Sequence, residues 1–129
     1  MVTTLHSPGV ADTLDRIIHL FAGESRDALL TLLSQHLIGI FSQQLLPRKE
    51  GGLMIAIEHL QNEAATRAWI KEGQLTKISD HINRGDDPAN CSFVRYLVAA
   101  VEQGYLDEHV ARQAAPNAQD FDRMLRGIK

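Results

Sequence analysis

From residue 62 onward the chain leaves no room for a long element, because Gly73, Gly85, Gly104, Pro116 and Gly127 interrupt its apolar periodicity at short intervals. Glycine loses more backbone freedom in a helix than any other residue and proline removes an N–H donor, so both tend to end helices. What fits between the stops is a set of short amphipathic helices. Asn62 is placed to cap a helix over Glu63 to Glu72, which Gly73 closes. Leu75, Ile78 and Ile82 make the next stripe, closed by Gly85 and the Asp86-Asp87-Pro88 turn. Phe93, Tyr96, Leu97, Ala100 and Val101 make another, stopped by Gly104, and two last helices start near Asp107 and Asn117 on either side of Pro116.

The first half reads differently. His6-Ser7-Pro8-Gly9 breaks a short β-branched opening, Val2 to Leu5, and a helix follows with Leu14, Ile17, Ile18 and Phe21 on one face, Asp12 placed to cap it and Gly23 to end it. A second helix is predicted from about Glu24 to Ile40. Its stripe of Leu29, Leu32, Leu33, Leu37 and Ile40 is widened by Leu30 and Ile38, which implies burial on more than one side. Phe41 to Leu46 and Leu53 to Leu60, joined by the turn-rich Pro47 to Gly52, then read as two strands, with Ile55 and Ile57 facing one way and Met54, Ala56 and Glu58 the other. With no internal repeat and no linker, the 129 residues predict one domain, mainly α with a small β element.

Charge narrows the partners. The 13 basic and 16 acidic residues are interspersed and sum to −3, so no basic stripe is laid out for nucleic acid or anionic lipid. No apolar run reaches the roughly 18 to 20 residues of a membrane span. A single cysteine, Cys91, excludes an internal disulfide, and the N-terminus lacks the basic and apolar stretches of a secretory signal, so cytoplasm is the expected compartment.

Enzyme chemistry finds little to work with. ATP phosphates are usually cradled by G-x-x-x-x-G-K-[ST], and none of the nine glycines directly precedes a lysine. The six histidines show no H-E-x-x-H or comparable metal-ligand spacing. Cys91 lies beside an expected helix start, where a thiol is either a small half-buried apolar residue or a reactive one. His36, inside the Leu29 to Ile40 stripe, reads as packed and hydrogen-bonded.

The sharpest local feature is Ala65-Thr66-Arg67-Ala68-Trp69-Ile70-Lys71-Glu72. Arg67 and Lys71 are four apart on one face, a mildly repulsive arrangement, and the chain's one tryptophan lies between them. Glu63, four residues before Arg67, is placed to offset the repulsion. The pattern fits both a solvated charged face and an interface for an acidic partner.

Taken in order, these segments resemble the PilT/PilU family of hexameric secretion-type ATPases, over essentially the whole chain. Thr3-Thr4-Leu5-His6-Ser7 and the downstream Leu14-Asp15-Arg16-Ile17-Ile18 resemble the family's histidine box and its D-R-I-[IV] helix. Ser42-Gln43-Gln44-Leu45-Leu46-Pro47-Arg48 is similar to S-Q-R-L-[LV]-P-R, and Ala56-Ile57-Glu58-His59-Leu60 to A-x-E-[IV]-L. Ala65 to Gly73 resembles A-I-R-N-L-I-R-E-G, a stretch associated in the family with pilus retraction, and Leu125-Arg126-Gly127 is similar as well. Pro8, Gly9, Gln44 and Asn90-Cys91-Ser92-Phe93 depart from the pattern.

The resemblance implies the helical C-terminal domain of a RecA-like secretion ATPase, with residues 1–10 a remnant of a core strand and histidine box, and 11–129 the helical domain with its two strands near 41–60. It implies that the family's phosphate loop, Walker B strand and PAS-like domain lie upstream of residue 1, so that this chain holds neither ATP nor magnesium, the parent family's cofactors. In the parent motor His6 would lie near the nucleotide's terminal phosphate and help couple hydrolysis to motion between subunits, whereas in this chain alone it would have no nucleotide to sense. Arg67 and Lys71, with Ala65, Trp69 and Glu72, would form the retraction motif facing the pilus inner-membrane platform protein. The implied partners are further copies or a full-length ATPase ring at the cytoplasmic side of the membrane, with no nucleic acid and no membrane insertion. Three functions follow: a separated domain for subunit packing and force transmission, a degenerate paralogue that modulates a full-length motor, or a plain helical interaction module.

Overall fold

A computed structural model describes residues 9–21, 25–85 and 87–127. The elements run α1 (Val10–Leu20), α2 (Arg26–His36), β1 (Gly39–Pro47), β2 (Leu53–Gln61), α3 (Ala64–Glu72), α4 (Leu75–Arg84), α5 (Phe93–Glu102), α6 (Glu108–Ala114) and α7 (Ala118–Leu125). The architecture is mainly helical with one antiparallel hairpin, as the periodicity predicts. Gly73 and Gly85 end α3 and α4 in the left-handed conformation, at φ 72° and 69°. Ser92 caps α5 by accepting the Arg95 N–H, and Asn117 caps α7 by accepting from Gln119 and Asp120.

The helices sort into two groups. α1 packs on α4, α2 on α3, and α3 on α4; α5, α6 and α7 pack on one another. Each group has its own core. Val10, Leu14, Ile70, Ile78 and Ile82 close the first with Leu60 of β2. Phe93, Leu97, Leu106, Ala111 and Phe121 close the second with Leu46 of β1 and Ala56 of β2. Burying each large side chain contributes roughly 1.5–3 kcal/mol, so each group is a unit with its own driving force. The hairpin is what they share. Its register pairs Gly39 with Gln61 and Pro47 with Leu53, so Leu46, Ala56, Glu58 and Leu60 line one face, while Phe41 and His59 stack on the other with ring centroids 5.8 Å apart.

Five expectations need correction. The second helix does not reach Ile40: it ends at His36, and Leu37 is already extended with ψ 124°. The apolar run Leu37 to Phe41 satisfies helical and strand periods alike, and ladder pairing with β2 decides in favour of the strand. The broad leucine stripe is accordingly not buried all round, since Leu32 is 55% and Ile38 85% exposed, and His36 faces solvent. Asn62 does not cap α3. Glu63 does, while the buried Asn62 donates to Leu37 O at 2.8 Å and to Ser34 O at 3.3 Å, fastening the end of α2 to the start of α3. Asp12 lies in the first turn of α1, whose N-cap is Gly9. Residues 1–8, Gly23 and Asp86 lie outside the described residues, as therefore do the opening strand and the histidine box with His6; Val10, expected with them, opens α1.

Candidate functional site

α3 is a short helix held from beneath. Thr66 is buried and works as a knot: its hydroxyl accepts the Glu63 N–H at 2.7 Å and lies 2.7 Å from Asn62 Oδ1, to which it donates. Ile70, on the same side, is fully buried in the first core. Trp69 is half-buried and meets the His81 ring of α4 edge-on. Three successive supports thus fix one side of the helix.

The opposite side faces solvent. Ala65, Arg67, Ala68, Lys71 and Glu72 are all exposed, so the expected motif divides: its charged and small residues point outward, and Trp69 belongs to the support. Among the described residues the ion pairs join Asp122 to Arg112 and Asp120 to Arg123, and the His19 ring lies 3.5 Å from the Asp15 carboxylate. None involves Glu63, Arg67 or Lys71. Arg26, from α2, comes to the end of this helix; its guanidinium nitrogens lie 3.0 and 3.2 Å from where a Cβ on Gly73 would stand. A cation there complements the partial negative charge of the α3 C-terminus, as Lys71 does in the last turn. Sequence reasoning missed Arg26 because it joins α3 only through the packing of α2.

A second centre lies between the cores. Glu58 accepts the Val10 N–H on Oε1 at 2.8 Å and the Phe93 N–H on Oε2 at 3.0 Å. Each donor is the first residue of a helix, where backbone N–H groups lack internal partners and negative charge is favoured. Gly9 permits the approach, since a Cβ there would stand 2.9 Å from Oε1. Beside it opens a cavity of about 640 Å³, lined among others by Asp12, Gln44, Glu58, Ile82, Phe93 and Asp120. Cys91 is half-buried, and its backbone bridges to His59 with N···O distances of 2.9 and 3.0 Å. Burial pushes its thiol pKa up, Arg95 pulls it down and Glu58 adds to the rise.

Among the described residues the cavity lining holds three carboxylates, Asp12, Glu58 and Asp120, and no lysine or arginine, so a polyphosphate placed in that cavity would meet repulsion from these side chains. Among the described residues no group of three His, Cys, Asp or Glu side chains converges as a cation would need. Nor is any described helix long and apolar enough to cross a membrane.

Comparison with known proteins defines the class of the fold. A crystal structure of the pilus retraction motor PilT with bound ADP superimposes with a TM-score of 0.83 over 94% of this chain, at 30% identity, and the match takes in 34% of that protein. The arrangement of helices and hairpin is thus that of the C-terminal domain of PilT-like ATPases. A twitching motility protein of Neisseria gonorrhoeae is 31% identical over 119 residues, which are 92% of this chain and 32% of its own length. The type IV pilus ATPase PilU of Pseudomonas aeruginosa is 28% identical over 126 residues, 97% of this chain and 33% of its own. No protein-family model matches. The chain is a homologue of the C-terminal region of type IV pilus retraction ATPases, and it spans about a third of the length of the curated relatives it matches.

Proposed function

We propose that the chain serves as the C-terminal domain of a pilus retraction ATPase, packing against neighbouring subunits and passing force outward through the exposed side of α3. The division of α3 into a fixed side and a free one supports this role. Thr66, Trp69 and Ile70 hold the helix, while Arg67 and Lys71 carry charge with no ion-pair partner among the described residues. A rigid element presenting unpaired positive charge suits an acidic partner, because the support leaves little backbone freedom to lose on binding.

On this reading the partners are a ring of pilus ATPase subunits and the platform protein at the cytoplasmic side of the inner membrane. The chain's own work is mechanical. ATP and magnesium belong to other parts of the ring, and His6 serves there as a sensor of the motor's nucleotide state.

The test places Arg67→Glu and Lys71→Glu, at the matching positions, in a full-length motor. Loss of platform binding and of retraction, with ATP hydrolysis and ring assembly kept, is the expected result. Unchanged retraction overturns the assignment of this face.

A further inference from the structure

We propose that Glu58 is a latch between two half-domains, and that its release lets the α1–α4 half hinge on the α5–α7 half about the hairpin, widening the cavity between them. On the inward row of β2, Ala56 belongs to the second core and Leu60 to the first, and between them stands the one charged side chain of that row. A carboxylate facing inward is costly unless its oxygens are paired. Glu58 pairs one oxygen with each half: Oε1 with Val10 at the start of α1, Oε2 with Phe93 at the start of α5.

Glu58 is thus a direct side-chain bridge between the starts of these two helices. Other ties between the halves lie at the rim. Asn90 Oδ1 accepts the Gln61 N–H, Cys91 bridges to His59, and Arg95 donates to Arg84 O, all around the segment that connects α4 to α5. They fasten that segment to the edge of β2, whereas among the described residues Glu58 makes the tie by the start of α1. The cavity of about 640 Å³ opens on that same side and takes its lining from both halves, Ile82 from one and Phe93 and Val94 from the other. Dense cores transmit motion as rigid units, whereas a cavity between them offers little dispersion to hold them together. Among the described residues this carboxylate is the side-chain bond that joins the two helix starts, so its release frees the halves on that side, and the solvent-facing helix α3 moves with the half that is released.

Two experiments decide it. In the native chain, a latch that opens as a unit exposes the Val10 and Phe93 amides in the same event, so their hydrogen-exchange protection should agree within about threefold. Protection differing by more than about tenfold would mean independent openings and overturn the proposal. Glu58→Gln keeps the shape but replaces one acceptor by a donor. In a Cys91→Ser background, spin labels at Ala68→Cys on α3 and Gln113→Cys on α6 should give one narrow distance distribution while Glu58 is present. The same labels should give a broadened distribution in the Glu58→Gln variant, helix content unchanged. An equally narrow distribution in the folded Glu58→Gln chain contradicts the latch; if that variant does not fold, the exchange measurement on the native chain decides alone.

Discussion

The Trp69 indole and the His81 imidazole meet edge to face across α3 and α4, with ring centroids 5.4 Å apart and planes at 63°. This contact braces the helix that carries Arg67 and Lys71, and it covers the chain's one tryptophan. His81→Ala should shift the tryptophan emission to the red and cost about 0.5–1.5 kcal/mol. Emission that stays in place in the folded variant would show that the ring does not shield Trp69.

The Asn62–Thr66 knot predicts a larger loss. Thr66→Val preserves the shape but leaves the Glu63 N–H and Asn62 Oδ1 without the hydroxyl between them. An unsatisfied buried polar group costs about 1–3 kcal/mol, so the urea midpoint should fall accordingly. A midpoint equal to that of the native chain would mean the hydroxyl adds nothing to the start of α3.

Most of the fold was legible in the sequence because its signals are local. Gly73 and Gly85 sit beside the turns they make, and Ser92 and Asn117 beside the helices they cap. The junction at Leu37 to Phe41 was not, since residues that suit either period are assigned only by their pairing across β1 and β2. Of the candidate site, the charged spacing of Arg67 and Lys71 could be read directly. The sidedness of Trp69 depends on α4, and Arg26 reaches Gly73 from α2. Glu58 was least visible: its partners lie 48 residues before and 35 after it, and a lone glutamate on a strand's inner face carries no sign of which helix starts it will meet.

The Cys91 thiol predicts a pH dependence. Burial raises its pKa, so it should react with a small alkylating reagent more slowly than the same thiol in unfolded chain, most visibly near the ordinary value of about 8.5. Arg95 favours the thiolate, so Arg95→Gln should slow the reaction further. The stability sign follows: the unfolded thiol releases its proton first, so stability is full below the unfolded pKa and declines as pH rises through it towards the folded one. Cys91→Ala should remove that part of the decline. A native thiol reacting as fast as the unfolded control contradicts the assignment.

The second core has its own weak point. Phe121 is fully buried from α7, and Phe121→Ala should cost about 3–5 kcal/mol by cavity formation, measured by chemical denaturation. A loss below about 1 kcal/mol would place little of the stability in that core.

A place in the motor can be checked by sedimenting the purified chain with an assembled full-length pilus retraction ATPase and the platform protein, at low and raised salt, beside the Arg67→Glu, Lys71→Glu double variant. The native chain should co-sediment with the ring. The double variant, equally folded, should join the ring through subunit packing but bring down less of the platform protein. A native chain that stays in the supernatant at every salt concentration would rule out that place in the ring.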